Sequence, residues 1–183
     1  MGVGRVLFTA DQIARRVAEL AAEIRRNGPD GPLTVIGILH GAAVFVNDLL
    51  KHLGGETSAE FIEASSYGAG TVSSGRVTLK GCGRVDLAGR DVLIVDDIAD
   101  TGRTLAAVRQ AVGAMGPRSV RTCVLLDKPS RRQIGVAIDY RGFQVPDAFI
   151  VGYGLDYAGR CRDLPHIARL DEPTPSPRER SNS

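Results

Sequence analysis

The stretch of sequence that decides the fold reads Val92-Leu93-Ile94-Val95-Asp96-Asp97-Ile98-Ala99-Asp100-Thr101-Gly102-Arg103-Thr104-Leu105. Its first four residues are aliphatic and mostly β-branched, which is typical of a strand buried on both faces of a parallel sheet. Two carboxylates end the strand, small and hydroxyl residues follow, and helical spacing begins at Leu105. A strand, a tight loop and a helix in this order predict an α/β protein with its ligand at the carboxyl end of the sheet.

The loop after this strand combines groups that suit three kinds of ligand. Backbone N–H groups at the start of a helix favour an anion, most often a phosphate. The carboxylates of Asp96 and Asp97 suit sugar hydroxyls or a hydrated Mg²⁺. One loop can therefore hold a phosphate, a sugar and a metal together. A plainer interpretation is that the two carboxylates cap the next helix and point into water.

The length and composition of the chain indicate one soluble globular domain. Its 183 residues suffice for a sizeable core, and its net charge of +2 gives no argument for nucleic-acid or membrane binding. Three scattered cysteines, no long apolar stretch and no signal-peptide core lead us to expect a cytoplasmic protein. We expect one domain over residues 1–170 and a disordered tail over residues 171–183, which is rich in Pro, Ser, Glu and Arg.

Alternating strand and helix patterns predict a mainly parallel central sheet flanked by helices. The patterns predict helices over residues 10–27, 42–53 and 103–115. They predict strands over residues 33–39, 59–64, 77–79, 85–87, 92–96, 120–126, 136–139 and 148–151. Residues 65–76 consist of Gly, Ser and Thr with few other residues, which is typical of a mobile loop.

Two other classes of protein place a functional loop directly after a buried strand. A phospho-accepting receiver domain also begins with an apolar strand that ends in two aspartates, but about half of this chain precedes Asp96. Nothing in the receiver pattern accounts for the residues from Asp100 to Thr104. A P-loop is excluded because no Gly-x-x-x-x-Gly-Lys-Ser/Thr occurs in the sequence.

The full run instead resembles the phosphoribosyl diphosphate loop of the type I phosphoribosyltransferases. Further motifs, spread over roughly residues 10–170, resemble the hypoxanthine-guanine members of that family. The resemblance implies the type I fold, with a small hood made by the N- and C-terminal segments. It also implies transfer of 5-phosphoribosyl from its diphosphate to N9 of hypoxanthine or guanine with Mg²⁺, giving IMP or GMP and pyrophosphate. Homodimers or homotetramers are usual for the family.

The resemblance assigns three roles within the opening loop. Asp96 and Asp97 would engage the ribose hydroxyls and contribute to the Mg²⁺ site. The 5′-phosphate would be surrounded by Asp100, Thr101, Gly102, Arg103 and Thr104. Asp100 would also take the proton from purine N7 as N9 attacks, which makes it the expected catalytic residue. The plainer alternative for Asp100, compatible with this role, is an N-cap of the following helix.

Three other segments resemble the pyrophosphate contacts of the family. Leu39-His40-Gly41 matches the pyrophosphate loop, although family members often have Lys at the position of His40, and a histidine carries a full charge only when protonated. Ser66 and Tyr67 lie in the loop expected to close over the site and exclude water. Arg162 would bind pyrophosphate.

The expected purine contacts come from two segments. Lys128, at the end of the predicted strand 120–126, would donate to purine O6 and so select 6-oxopurines over adenine. In the run from Val145 to Tyr157, Phe149 would stack on the purine, the backbone of Ile150 would meet its edge, and Asp156 would hold Mg²⁺.

Other functions stay open on the sequence alone. A non-catalytic regulator that senses phosphoribosyl diphosphate would resemble this chain around residues 92–104. Such a regulator need not keep an acid at Asp100, the closing loop or the residues of segment 149–162, and this chain has all three. Within the enzyme class, a relative that prefers xanthine or a pyrimidine is the alternative. The sequence therefore favours an enzyme of purine salvage.

Overall fold

The computed structural model describes residues 3–66, 77–81, 85–157 and 159–170. The strands in these ranges are β1 (Val3–Phe8), β2 (Leu33–Leu39), β3 (Thr57–Ser66), β4 (Val77–Lys80), β5 (Asp91–Ala99), β6 (Ser119–Asp127), β7 (Tyr140–Gln144), β8 (Ile150–Val151) and β9 (Ile167–Leu170). The α-helices are α1 (Ala10–Asn27), α2 (Ala42–Leu53) and α3 (Arg103–Gly113). A short 3₁₀ turn over Pro129–Arg131 follows β6.

The central sheet has the strand order β4-β3-β2-β5-β6-β7. All neighbouring strands run parallel except β4, which pairs with β3 in the antiparallel direction. In the parallel pair at the centre, Val35 of β2 lies opposite Leu93 of β5. Because the strands are parallel and in register, the loops after β2, β5 and β6 emerge at one edge of the sheet. This architecture confirms the predicted α/β fold.

The alternation of side chains along β5 divides the core into two layers. Leu93 and Val95 pack in the layer that contains α1 and α2, whereas Val92 and Ile94 pack in the layer that contains α3. A strand covered by helices on both faces has to be apolar at every position, which explains the unbroken aliphatic run in the sequence.

Helix α1 begins and ends where the sequence predicts. Thr9 caps it through a capping box with Gln12: the Thr9 hydroxyl accepts from Gln12 N, and Gln12 Oε1 accepts from Thr9 N at 2.9 Å. The helix buries a single stripe consisting of Ile13, Val17, Leu20, Ala21 and Ile24. Like the other described helices, it lacks the combination of length and apolar character that crossing a bilayer requires.

A second, smaller sheet forms the hood that the family resemblance implies. Its order is β1-β9-β8, with both pairings antiparallel, so the two ends of the described chain meet in one element. Stacking of Phe8 on Phe143, with ring centroids 4.0 Å apart, joins the hood to the edge of the central sheet. The hood therefore contacts the central sheet at its β7 edge.

Several predicted elements are wrong or displaced. Residues 85–87 form no strand, because Leu87 instead inserts its side chain into the α3 layer of the core from a loop. Residues 136–139 also form no strand: Val136 and Ile138 pack against the same layer without joining the sheet, and β7 begins only at Tyr140. The tail 171–183 and most of the predicted loop 65–76 lie outside the described residues, and only the first two residues of that loop, at the end of β3, are described.

The burial of Leu87 gives a test of this correction. Leu87→Ala should lower the free energy of unfolding by about 2–5 kcal/mol, because it removes a fully buried side chain. Val6→Ala, on an exposed position of β1, is the control and should change it by less than about 0.5 kcal/mol. Denaturant titration measures both, and an effect of Leu87→Ala as small as that of the control would contradict the buried placement.

Candidate active site

A cavity of about 300 Å³ lies at the carboxyl edge of the sheet, between the loops after β2 and β5. Its lining includes most of the residues that the sequence assigns to the donor side of the site: His40, Gly41, Asp96, Asp97, Asp100, Thr101, Gly102 and Thr104. The predicted purine residues do not line this cavity and follow β6 and β7 instead. The structure thus separates the predicted site into two neighbouring parts.

The loop after β2 touches the carboxyl end of β5 through Gly41 and Asp97. A Cβ atom added to Gly41 would overlap the carboxylate of Asp97, so only glycine leaves room for that side chain. The preceding Leu39–His40 peptide is cis. His40 also lines the cavity and lies two residues before the start of α2. The close approach of Gly41 to Asp97 is the physical reason for a glycine in this loop.

Asp96 and Asp97 are adjacent carboxylates of like charge, one buried and the other partly buried. Asp96 is buried, and its Oδ1 accepts a hydrogen bond from Asp97 N at 3.0 Å. Burial, and secondly the neighbouring Asp97 carboxylate, raise the pKa of Asp96 well above its ordinary value. Burial also raises the pKa of Asp97, although hydrogen bonds and the charge of Arg162 oppose this. Such a pair is suited to a bound cation or to hydroxyl donors.

The donor set fits a metal that is shared with a substrate. No group of three or more His, Cys, Asp or Glu side chains within the described ranges could enclose an ion on its own. Mg²⁺ is usually bound by one or two carboxylates together with substrate phosphates and water, and the pair of Asp96 and Asp97 has that form.

The loop between β5 and α3 leaves the start of the helix open to an anion. Gly102 is the N-cap residue, in the left-handed conformation with φ of 84°, and has no side chain with which to cap the helix. The Thr101 hydroxyl accepts from Arg103 N at 3.4 Å. The first turn of α3 contains no acidic residue, and the N–H groups at the start of a helix favour a phosphate. The alternative that Asp100 caps α3 is wrong, because Gly102 holds that position.

Residues 132–134, to which the sequence assigns no role, hydrogen-bond to this loop and pack against it. Gln133 N and Ile134 N both donate to the carbonyl oxygen of Thr101, at 3.0 and 3.1 Å. A Cβ atom on Gly102 would lie 2.5 Å from the carbonyl oxygen of Ile134 and 3.0 Å from Cδ of Arg132. Glycine is therefore required here for its positive φ and for the space.

The predicted base Asp100 has one side-chain partner in the described structure. Its Oδ1 forms an ion pair with Nε of Arg131 at 3.2 Å. Nη1 of Arg131 lies 3.7 Å from Oδ1 of Asp147. Neither Arg131 nor Asp147 is predicted as a site residue from the sequence, since isolated charged residues in loops carry no periodic signal.

Lys128 follows β6 directly and has little exposed surface. Only 8% of its surface is exposed, and its side chain has no hydrogen-bond or ion-pair partner among the described residues. The neighbouring Asp127 is not available to it, because Asp127 pairs with Arg132 and, at 2.8 Å, with Arg141. The Lys128 ammonium is not among the enclosed polar atoms that lack a partner, of which Arg132 Nη1 is the one in the described ranges, so it stays accessible to an acceptor brought by a ligand.

Segment 149–162 presents an aromatic ring and an ion pair. Phe149 is 53% exposed and meets Tyr157 edge to face, with ring centroids 5.1 Å apart. The side chain of Ile150 is buried, which is compatible with a role through its backbone. Arg162 pairs with Asp156 at 2.9 Å, so the predicted pyrophosphate ligand and one predicted metal ligand contact each other.

The remaining predicted residues belong to the loop expected to close over the site. Ser66 is the last residue of β3, and nothing is described of its side chain, whereas Tyr67 lies outside the described residues. Their roles stay predictions.

Comparison with known proteins matches residues 7–158 to the phosphoribosyl transferase domain. The chain belongs to the phosphoribosyltransferase family. It is 47% identical to the hypoxanthine-guanine phosphoribosyltransferase of Mycobacterium avium, over 91% of this chain and 85% of that one. It is 42% identical to the enzyme of that name from Bacillus subtilis, over 92% and 93% of the two chains.

The fold of this phosphoribosyltransferase also matches solved structures. A crystal structure of a hypoxanthine-guanine phosphoribosyltransferase from Bacillus anthracis superposes with a TM-score of 0.88 at 39% identity. The match covers 93% of this chain and all of the other. The type I phosphoribosyltransferase fold expected from the sequence is therefore confirmed.

The raised pKa of Asp96 predicts a conflict between stability and binding. Because the folded protein holds a proton on this carboxylate more tightly than the unfolded chain does, ionisation of Asp96 opposes folding as pH rises above about 4. Asp96→Asn should therefore raise the free energy of unfolding of the ligand-free protein at pH 7, by on the order of 1 kcal/mol.

The gain should shrink as the pH falls toward 4, which denaturant titration at several pH values measures. Asp30→Asn, at an exposed position, is the matched control and should show no such dependence. A gain for Asp96→Asn that stays constant with pH would contradict the assignment.

Proposed function

We propose that this phosphoribosyltransferase transfers 5-phosphoribosyl from phosphoribosyl diphosphate to N9 of hypoxanthine or guanine, giving IMP or GMP and pyrophosphate. One observation carries the choice of a 6-oxopurine. Lys128 N donates to the carbonyl oxygen of Ala99 at 3.0 Å, so Lys128 and Asp100 directly follow adjoining strand ends. A donor beside an acid matches the O6 acceptor and the N7 proton of a 6-oxopurine, which lie on one edge of the base.

The donor side of the proposal uses the cavity between β2 and β5. The 5′-phosphate would lie at the open start of α3, where Thr101, Thr104 and backbone N–H groups face the cavity and Arg103 adds charge nearby. The ribose hydroxyls would reach Asp96 and Asp97. The diphosphate would lie toward His40 and Gly41, with Arg162, Ser66 and Tyr67 completing its contacts.

Mg²⁺ belongs to the proposal because of the charges around this cavity. Asp96 and Asp97, together with Asp156, are the residues that would hold the ion. When bound, it would neutralise charge on the diphosphate that leaves. In the structure both carboxylate oxygens of Asp156 are engaged, one by Arg162 at 2.9 Å and the other by Gly159 N at 2.6 Å. Metal binding at Asp156 would therefore have to share that carboxylate with Arg162.

The proton at N7 would pass to Asp100 while N9 forms its bond to C1′ of the ribose. Oδ1 of Asp100 is engaged by Arg131, whereas Oδ2 has no partner among the described residues and can accept the N7 proton. General base assistance of this kind contributes about 10²–10⁴-fold to rate. The positive charge that develops at C1′ makes exclusion of water important, which is the role expected of the loop that contains Tyr67.

Selection of the base would rest on Lys128 and Phe149. Adenine presents an amino group at position 6, which cannot accept the hydrogen bond from Lys128. The exposed ring of Phe149 offers a face for stacking that does not distinguish among purines. Discrimination is therefore assigned to Lys128.

Further parts of the proposal rest on the family resemblance and on composition. We propose a homodimer or homotetramer located in the cytoplasm, with small-molecule substrates and with neither nucleic acid nor membrane as a partner. Light scattering of the purified chain measures the oligomeric state.

Asp100→Asn tests the proton acceptor. We expect kcat with hypoxanthine and guanine to fall by at least about 100-fold, because the amide cannot take the N7 proton, while KM for phosphoribosyl diphosphate changes little. The measurement is pyrophosphate release from hypoxanthine, guanine, xanthine, adenine and uracil. Unchanged turnover would remove Asp100 as the base, and no turnover of any base by the unaltered protein would favour the regulator.

Lys128→Ala tests the O6 contact. The preference for guanine over adenine in kcat/KM should fall by about 10²-fold or more, since the variant lacks the ammonium that donates to an acceptor at position 6. The matched control is Lys51→Ala, at an exposed lysine on α2 that pairs with Asp48. An unchanged preference, or an equal loss in the control, would contradict the assignment.

A further inference from the structure

The 3₁₀ turn after β6 joins the two residues that the proposed function places at the purine edge. The turn begins directly after Lys128, and Arg131 N donates to the carbonyl oxygen of Lys128 at 3.1 Å. From the end of the same turn, the side chain of Arg131 reaches across to Asp100, with 3.2 Å between Nε and Oδ1. One short turn thus connects the proposed O6 donor to the proposed N7 acceptor.

Arg131 also contacts the segment that leads to the purine-stacking ring. Its Nη1 lies 3.7 Å from Oδ1 of Asp147, two residues before Phe149. The planar guanidinium can serve two carboxylates at once through Nε and Nη1, which a lysine ammonium on its flexible stem does less well. Arg131 therefore bridges the loop after β5 and the segment before β8.

Stability does not account for this arrangement. The side chains of Arg131, Asp100 and Asp147 are 48%, 39% and 56% exposed, and ion pairs at such positions contribute little to folding. The support of the loop comes instead from the next residues, Gln133 and Ile134, through their bonds to Thr101. The ion pairs of Arg131 therefore need an explanation other than stability.

We propose that Arg131 is a positioning residue, which fixes the carboxylate of Asp100 toward purine N7 and ties it, through Asp147, to the segment that carries Phe149. This inference rests on the proposed function. Arg131 occupies Oδ1 of Asp100, so Oδ2 is the oxygen left to meet N7. A base must lie within hydrogen-bond reach of its proton, and a displacement of about 1 Å can lower the rate by about 10²-fold.

Kinetics of Arg131→Ala and Arg131→Lys give the first test. We expect kcat with hypoxanthine and guanine to fall by about 10–100-fold in Arg131→Ala and by less in Arg131→Lys, with KM for phosphoribosyl diphosphate changed by less than about twofold. Arg109→Ala is the matched control. Arg109 also forms a partly exposed ion pair, with 3.8 Å between Nη1 and Oδ2 of Asp139, and it lies outside the site. It should keep the kcat of the unaltered enzyme.

Two unreactive guanine analogues separate positioning from a general structural role. In 9-deazaguanine N7 carries a hydrogen that Asp100 can accept, whereas in 7-deazaguanine a C–H group stands at that position, and both keep O6. The unaltered enzyme should bind the 9-deaza analogue at least about 10-fold more tightly, measured as inhibition constants with phosphoribosyl diphosphate and Mg²⁺ present. In Arg131→Ala this ratio should fall to within about threefold of unity.

Asp147→Asn removes the second contact without altering Arg131. It should lower kcat and the analogue ratio in the same direction, by about two- to fivefold, and it replaces Arg131→Ala as the test if that variant does not fold. A ratio that stays high in Arg131→Ala, or affinity for both analogues that falls equally, overturns the role of Arg131. An unchanged ratio in Asp147→Asn overturns the tie through Asp147. If the unaltered enzyme releases no pyrophosphate with either 6-oxopurine, the proposed function fails instead.

Discussion

The contact between the Asp97 carboxylate and Gly41 is the constraint on which the site depends. Two parallel neighbours, β2 and β5, end at the same edge of the sheet, and the glycine lets the loop after β2 approach the Asp97 side chain of β5. Asp96 and Asp97 both line the resulting cavity, together with the loop that leads into α3.

This arrangement concentrates uncompensated charge in the ligand-free protein. Two carboxylates with raised pKa lie on the donor side, and Lys128, whose side chain has no partner among the described residues, lies on the base side. The ionised carboxylates are unfavourable for folding, and both sides suit substrate groups of the opposite character. Active sites commonly carry such local conflicts, which the rest of the fold has to offset. Here the offset comes from two apolar layers that enclose the central strands.

Local patterns revealed the parts of the site that are continuous in sequence. The aliphatic run of β5 and its loop were predicted from composition and spacing, and the pattern over residues 10–27 predicted α1 with its observed bounds. Roles for Lys128 and Phe149 came only from the family resemblance, since either residue alone is ordinary. Arg131 and Asp147 could not be found in this way, because their contacts join distant segments. The strand over 136–139 was wrong because apolar residues packed on the core without finding a partner in the sheet.

The order in which the chain leaves the ribosome divides the two halves of the site. The loop that would bind the ribose and the 5′-phosphate, and the segment that supports it, are contained in residues that precede β7, next to the parallel neighbours β2, β5 and β6. Strand β8 beside Phe149 pairs only with β9, which in turn needs β1 from the other end of the chain. Long-range pairing of this kind forms slowly. A nascent chain can therefore form the loop that would bind the 5′-phosphate before β9 pairs with β8, next to Phe149.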